Sequence, residues 1–184
     1  MVAAVAVVAE RGWEAVTTRM VAERAGIAPG LVHYHFSSVN DLLIDATLAA
    51  AREEAARMLE GMGSESASHG VERLIEAVAS YDVEDPTDNP AIPMFSEMLL
   101  AATRYERLRA GLAEVLGDYR SALRDWLARQ GGAIDPDATA ALMFAALDGL
   151  VLHRVIDPRI RGLAIEPALR RLAGLPPKQS KEPP

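Results

Sequence analysis

The sequence predicts an all-α protein, because helical periodicity runs through most of its 184 residues and strand signals are nearly absent. Alanine is abundant, β-branched runs are few, and no alternation of apolar and polar residues is sustained. Breaks rich in glycine, proline or serine interrupt the chain, and we predict about nine helices. These breaks lie at residue 12 and at residues 25–30, 37–40, 61–70, 82–93, 131–136, 157–162 and 174–184.

Composition restricts the class of protein. Half of the residues are hydrophobic, 24% are charged and none is cysteine, so a buried core is expected and disulfides, thiolate catalysis and cysteine-bound zinc are excluded. A chain without cysteine fits the cytoplasm. The net charge of −7 argues against a protein whose whole surface binds nucleic acid. Any binding to DNA must therefore rest on local geometry.

The first helix is expected over the apolar residues 1–9 and ends at Gly12. This stretch has no basic segment before it and meets Glu10 and Arg11 too early for a membrane span. We interpret it as a helix of a soluble protein rather than a signal peptide, and we expect no contact with a membrane.

The next two helices have the layout of a helix-turn-helix. Thr17 or Thr18 can cap the first of them, and Gly26 provides the corner between crossed helices. Pro29 suits the first turn of the second helix, where no amide hydrogen bond is lost. The sequence therefore predicts a short, sharply turned helix pair within the first 45 residues.

The second helix of the pair has one apolar and one polar face. Val32 and Phe36 are four residues apart and are expected to point inward. The opposite, exposed face would carry Pro29, Gly30, His33 and Tyr34. Small, aromatic and hydrogen-bonding groups on an exposed helix suit the major groove of DNA, where donors, acceptors and thymine methyl groups are read.

Longer helices are predicted after this segment. One helix is expected from about residue 40 to 62, and another carries an apolar stripe between residues 108 and 127. We predict a three-helix head at residues 1–45, a larger helical body at 46–174 and a disordered tail at 175–184.

The head closely resembles the DNA-binding domain of the TetR (tetracycline repressor) family. The resemblance rests on Glu10–Trp13, Thr17–Arg19, Val21–Gly26, Gly30–Phe36 and Asn40–Leu43. The segment Ala146–Leu150 also resembles the penultimate helix of such proteins. The resemblance implies a homodimeric, ligand-responsive transcription factor, usually a repressor, that binds a near-palindromic operator.

The resemblance also implies roles for single residues of the head. Thr18 and Arg19 would touch a phosphate, with an additional base contact left open, and Tyr34 and His35 would hold flanking phosphates. The residues that would face the groove are Pro29, Gly30 and His33. The residues that would pack inside the head are Trp13, Val32 and Phe36.

The body is expected to supply the dimer surface. The helix at residues 137–154 is apolar nearly all round, so it needs partners on two sides. Together with a helix at 165–173 it would form a four-helix bundle across a two-fold axis. The alternative is a central core helix in a monomer.

Methionine and aromatic residues of the middle helices are the candidate lining of a pocket for a mostly apolar effector of unknown identity. They are Met94, Phe95, Met98, Tyr105, Tyr119, Trp126 and Phe144. The alternative is that they form plain core. Glu97 is expected to face solvent, and Asp148 to pair with Arg154, His153 or a backbone cap, with effector contact the alternative for both.

The sequence offers no enzymatic pattern, and we predict neither a catalytic nor a metal site nor a cofactor. His33 and His35 are two residues apart on a helix and point to different faces. A rival hypothesis is a helical ligand-binding or protein-interaction module that has lost operator binding. It is motivated by the head's charge balance of three arginines against five acids: Arg11, Arg19 and Arg24 against Glu10, Glu14, Glu23, Asp41 and Asp45.

Overall fold

The computed structural model describes residues 1–59, 67–81 and 89–177. Over these ranges it contains nine α-helices and no strand, which confirms the predicted fold class. The helices are α1 (Val2–Arg11), α2 (Thr18–Ala25), α3 (Pro29–His35), α4 (Val39–Leu59), α5 (Ala67–Ala79), α6 (Ala91–Ala102), α7 (Glu106–Gln130), α8 (Pro136–Ile156) and α9 (Ile165–Leu172). Short 3-10 helices cover Trp13–Ala15 and Pro158–Gly162.

Some predicted boundaries differ from the observed ones. The glycine- and serine-rich break predicted at residues 61–70 is shorter, because α5 begins at Ala67; residues 60–66 lie outside the described residues. The acidic break at 82–93 is described only from residue 89. The predicted tail at 175–184 begins with Leu175, which is buried, and residues 178–184 of it lie outside the described residues.

The chain forms two compact units, and the first comprises Met1–Ala56 and Val83–Leu116. In this unit α6 and the start of α7 share one hydrophobic core with α1 to α4. Its buried side chains include Val8, Trp13, Val21, Leu43, Met98 and Leu108. The helices of the predicted head thus pack against two helices of the predicted body, and the boundary near residue 45 stays a prediction.

The second unit comprises Arg57–Asp82 and Gly117–Pro184. Its core is formed by α5, α8, α9 and the later part of α7. The side chains at its centre include Val71, Leu74, Leu123, Trp126, Met143 and Leu169. Trp126 is fully buried and lies against Gly70 of α5.

Within the described ranges, α8 is the helix that is long and apolar enough to span a membrane by length and composition. Only 22% of its most apolar stretch is buried in the single chain. Large side chains on its outer face are exposed, with 61% of Leu142 and 80% of Ile156 accessible to solvent. In the single chain α8 therefore has an uncovered apolar face.

Candidate DNA interface and effector site

The corner of the helix-turn-helix is built as the sequence predicts. Thr17 caps α2, because its hydroxyl accepts a hydrogen bond from the Met20 amide at 3.3 Å. Gly26 ends α2 in the left-handed region, with φ of +67°. The Ile27 amide then donates to the Ala22 carbonyl at 3.0 Å, which closes the helix end.

Helix α3 turns one apolar side inward. Pro29 occupies its first turn, and Ala28 precedes it without a side-chain cap. Val32 is buried, and Phe36 is half-buried against the core that also holds Trp13. These three residues therefore pack as the sequence predicts.

The other side of α3 faces solvent. All the residues that were predicted to contact DNA are exposed except Thr18, which is half-buried: Arg19, Pro29, Gly30, His33, Tyr34 and His35. Tyr34 projects furthest, with 82% of its surface accessible, and its ring meets that of His35 edge-on. The structure thus brings the predicted contact residues onto accessible positions of α2 and α3.

The sequence analysis missed two apolar residues of this surface. Ile27 is 41% exposed and Leu31 is 46% exposed, although both are large and hydrophobic. Leu31 lies three residues before Tyr34, a spacing that puts both side chains on one side of the helix. That spacing could have identified Leu31 from the sequence.

Few cations accompany this surface. Arg24 is held by Glu10 through two hydrogen bonds of 2.8 and 2.5 Å. These bonds lower the pKa of Glu10 from its ordinary value. Arg19 is exposed and forms no ion pair with any residue that the structure describes. Of the two arginines of α2, Arg19 is therefore the one that no carboxylate of the described residues engages.

The turn that precedes α2 is fixed by α6. The Trp13 amide donates to the Glu97 carboxylate at 2.7 Å, and the Trp13 indole donates to Asn40 at 3.3 Å. Arg104 forms an ion pair with Glu14 of the same turn at 2.6 Å. The expectation that Glu97 faces solvent is therefore wrong, because its carboxylate satisfies an amide at the start of a 3-10 helix.

Replacing Glu97 by alanine is expected to lower the free energy of unfolding by roughly 1–3 kcal/mol, because the half-buried Trp13 amide loses a charged acceptor. The control is Glu97→Gln, which keeps an acceptor oxygen and should lose less. Urea denaturation of both variants makes the measurement. Equal stability of Glu97→Ala and the parent protein would show that water replaces the carboxylate.

Four of the predicted effector-lining residues belong to the core of the first unit. Met98 is fully buried and Met94 nearly so, while Phe95 and Tyr105 are half-buried against them. The Tyr105 ring lies 5.8 Å from the Trp13 ring. These contacts agree with the alternative that the four residues form plain core, and their role in effector binding stays a prediction.

The other three predicted residues lie in the second unit. Tyr119 is buried, its ring centre is 4.8 Å from that of the half-buried Phe144, and Trp126 belongs to the core. A cavity of about 230 Å³ in this unit is lined by Arg57, Met58, Arg73, Leu74, Glu76, Ala77 and Tyr119. Of the seven predicted lining residues, only Tyr119 lines this cavity, and its other walls are partly charged.

Asp148 lies on α8 one helical turn after Phe144, whose ring packs against that of Tyr119. No residue that the structure describes forms a hydrogen bond or an ion pair with Asp148. The prediction that Arg154, His153 or a backbone cap would pair with it is therefore wrong. Burial raises the pKa of Asp148 to about 6. Burial, together with the charge of Asp148, also raises the pKa of Tyr119 to about 12.

Replacing Asp148 by asparagine is expected to stabilise the protein at pH 8 and to change little at pH 4. The pKa of Asp148 is raised from 3.8 to about 6, so the native state retains a proton that the unfolded state has lost. Stability therefore falls as the pH rises through this window and stays reduced above it. The gain at pH 8 should be roughly 2 kcal/mol, because one pKa unit is about 1.4 kcal/mol and the carboxyl keeps some contact with water.

Thermal unfolding at the two pH values measures this effect. Asp118→Asn, a change of the same charge at an exposed position of α7, is the control and should leave stability unchanged at both. A loss of stability in Asp148→Asn at pH 8 would mean that the carboxylate makes stabilising bonds.

The fold and this surface define a helix-turn-helix transcriptional regulator with a helical C-terminal domain. Residues 1–46 match the family described as "Bacterial regulatory proteins, tetR family". Residues 69–175 match the family described as "Tetracyclin repressor-like, C-terminal domain". Together the two matches cover most of the chain.

The chain is similar to regulators of known sequence and structure. An uncharacterised HTH-type transcriptional regulator of Mycobacterium tuberculosis is 26% identical over 162 residues, which are 85% of this chain and 81% of the relative. The structure of a transcriptional regulator from Rhodococcus sp. Rha1 superposes with a TM-score of 0.74 and 25% identity, over 94% of this chain and 91% of that one.

A third comparison adds a ligand-bound structure. The regulator FadR from Bacillus subtilis, in complex with stearoyl-CoA, shares the fold with a TM-score of 0.70 and 23% identity over 94% of each chain. The chain described here belongs to the TetR family of bacterial transcriptional regulators. Members of this family are soluble cytoplasmic regulators, generally not enzymes, that bind DNA and dimerise.

Proposed function

We propose that this protein is a cytoplasmic, ligand-responsive repressor that binds a near-palindromic operator as a homodimer. The observation that carries the proposal is the exposed side of α3, where Tyr34 and its neighbours stand clear of the core. In the dimer the two α3 helices would enter successive major grooves, about one helical turn apart.

The side chains of α2 and α3 would have different roles on DNA. Arg19 and Thr18 would bind a phosphate, and Tyr34 and His35 would bind the phosphates that flank the groove. Pro29, Gly30 and His33 would face the bases in the groove. Leu31 adds an exposed apolar group, which is suited to the methyl group of thymine.

The dimer surface would be the outer face of α8 together with α9. These helices correspond to the predicted segments 137–154 and 165–173. Leu142 and Ile156 of α8 and Leu172 of α9 are exposed in the single chain. An apolar face of this length is expected to be covered by the same face of a second copy.

Replacing Leu142 by glutamate is expected to convert the dimer to a monomer, because two carboxylates would be buried near the two-fold axis. Sedimentation equilibrium measures the mass of the parent and the variant. The control is Leu100→Glu, at an exposed leucine of α6 in the other unit, which should leave the mass unchanged. A dimer that survives Leu142→Glu would place the interface elsewhere.

The effector site would lie in the second unit. The FadR structure from Bacillus subtilis holds stearoyl-CoA, and a related fold from Saccharomonospora viridis holds choline. The cavity that Tyr119 helps to line supports a similar role for the second unit of this protein. An effector that binds the DNA-free form more tightly would release the operator, and DNA would weaken the effector equally.

Footprinting of the purified dimer on the DNA upstream of its own gene tests the proposal. We expect a protected near-palindromic site at low salt. Replacing Arg19 by glutamine should weaken binding and reduce the slope of log affinity against log salt by roughly 2, because each protomer loses one phosphate contact.

The acidic balance of the head favours a second candidate, an effector-binding or interaction module without an operator. This candidate predicts only weak binding to DNA that does not depend on the base sequence. Such a result at low salt, with the dimer intact, would overturn the proposal of an operator-binding repressor.

A further inference from the structure

Large apolar side chains are exposed around α3. Leu31 and Tyr34 are three residues apart on one side of this helix, and Ile27 lies in the turn just before it. All three are exposed, whereas Val32 is buried in the core of the first unit. An exposed cluster of this kind adds little to the core, and such clusters mark surfaces that bind a partner.

The same segment is poor in side chains that form hydrogen bonds with base edges. Residues 27–35 contain no arginine, lysine, asparagine or glutamine, the residues that bind guanine or adenine through two hydrogen bonds. The side chains of Pro29 and Gly30 offer neither a donor nor an acceptor. His33 can form such bonds, but it lies two residues from Leu31 and therefore at the other edge of the exposed side. Base recognition by Leu31 must rest on apolar contact.

The major groove offers an apolar group that suits such a side chain, the C5-methyl group of thymine. Contact with this methyl group removes apolar surface of both Leu31 and the base from water. A cytosine that is methylated at C5 carries the same methyl group at the same position. Thymine and cytosine differ at C4, where one has a carbonyl oxygen and the other an amino group, and a leucine side chain forms no hydrogen bond with either. Leu31 is therefore suited to the methyl group itself rather than to thymine as a base.

We propose that Leu31 determines operator specificity by binding the C5-methyl group of a pyrimidine in each half-site, so that 5-methylcytosine can replace thymine there. Ile27 extends the exposed apolar surface that precedes α3. This inference rests on the proposed function, because it assumes that α3 enters the major groove. It adds the chemical group that is recognised and a dependence of binding on the methylation of cytosine.

A series of duplexes that differ by single methyl groups tests the inference on the parent protein. The starting duplex carries the footprinted site, and each symmetric pair of thymines is replaced in turn by deoxyuridine, which lacks only the C5-methyl group. Fluorescence anisotropy measures the affinity of the full chain for each duplex. We expect at least one pair to weaken binding roughly tenfold, because each protomer then loses one apolar contact.

Cytosine at the sensitive pair separates the methyl group from the rest of the base. Replacing T·A by C·G should weaken binding at least as much as deoxyuridine does. Replacing the same cytosines by 5-methylcytosine should then strengthen binding roughly tenfold, because the methyl contact returns. A 5-methylcytosine duplex that binds no better than the cytosine duplex would contradict the inference.

Variants of the protein assign the methyl contact to one side chain. Leu31→Ala should bind the thymine and deoxyuridine duplexes equally, and Leu31→Met, which keeps an apolar side chain of similar volume, should retain the preference for thymine. Leu100→Ala is the matched control at an exposed leucine of α6, and it should behave as the parent protein on every duplex. Circular dichroism establishes that each variant is folded.

The outcomes separate this inference from the proposed function. A footprinted site at which no thymine pair is sensitive to deoxyuridine would overturn the inference and keep the repressor. A preference for thymine that persists in folded Leu31→Ala would also overturn it, because another residue would then bind the methyl group. If no footprint is found, the duplex series uses a site selected from random duplexes. A methyl preference on that site that depends on Leu31 would keep the inference and reject the operator at the protein's own gene, whereas failure to select any site would overturn both.

Discussion

Replacing Tyr34 by alanine is expected to lower operator affinity roughly thirtyfold or more and to leave the free energy of unfolding unchanged. The affinity falls because each protomer of the dimer loses about 1 kcal/mol of contact with DNA. Stability is retained because 82% of the Tyr34 side chain is exposed and it packs only edge-on against His35. Fluorescence anisotropy on the footprinted site and thermal unfolding supply the two measurements.

The control for this prediction is Val32→Ala on the inner side of the same helix. Val32 is buried, so its truncation should lower the unfolding free energy by roughly 1–2 kcal/mol. Adding His33→Ala to Tyr34→Ala should weaken operator binding further, again without loss of stability. If Tyr34→Ala instead lowered the free energy of unfolding while the folded protein kept its operator affinity, the outward side of α3 would be a packing surface.

Replacing Gly132 by alanine is expected to lower the free energy of unfolding by roughly 3 kcal/mol or more. A Cβ atom at this position would overlap the Gly174 carbonyl oxygen, which is main chain and cannot rotate away. The close approach joins the α7–α8 connection to the end of α9. Urea denaturation followed by circular dichroism measures the loss.

Gly117→Ala is the matched control for Gly132→Ala. Gly117 lies inside α7 with nothing within 4 Å of its added Cβ, so alanine should stabilise the helix by about 0.5–1 kcal/mol. Opposite signs for the two variants are the expected outcome. A neutral Gly132→Ala would mean that the connection between α7 and α8 can move away from α9 at little cost.

Local chemistry was sufficient to predict the helix-turn-helix. The Thr17 cap, the left-handed Gly26 and the helix-starting Pro29 each act within one turn of chain, so their effect can be read without knowledge of the rest of the fold. The inward side of α3 also followed from spacing alone, as Val32 and Phe36 show. Leu31 was missed because large apolar residues are assigned to a core by default.

The effector site was harder to predict from the sequence. Periodicity identifies apolar residues but not the core that each of them joins. Met98 and Trp126 have similar patterns along their helices, yet they lie in the cores of different units. The charged walls of the cavity come from α4 and α5, and α7 adds Tyr119; the approach of these three helices is a property of the tertiary structure.

The sequence by itself determined the helical class, the family and the inward side of α3, because caps, turns and periodicity are local signals. Only the tertiary structure decided that Glu97 binds the Trp13 amide and that Asp148 has no counter-ion among the described residues. Both facts depend on which groups meet across helices distant in sequence. The physical reason is that desolvation and hydrogen bonding of a charge are set by its neighbours in space.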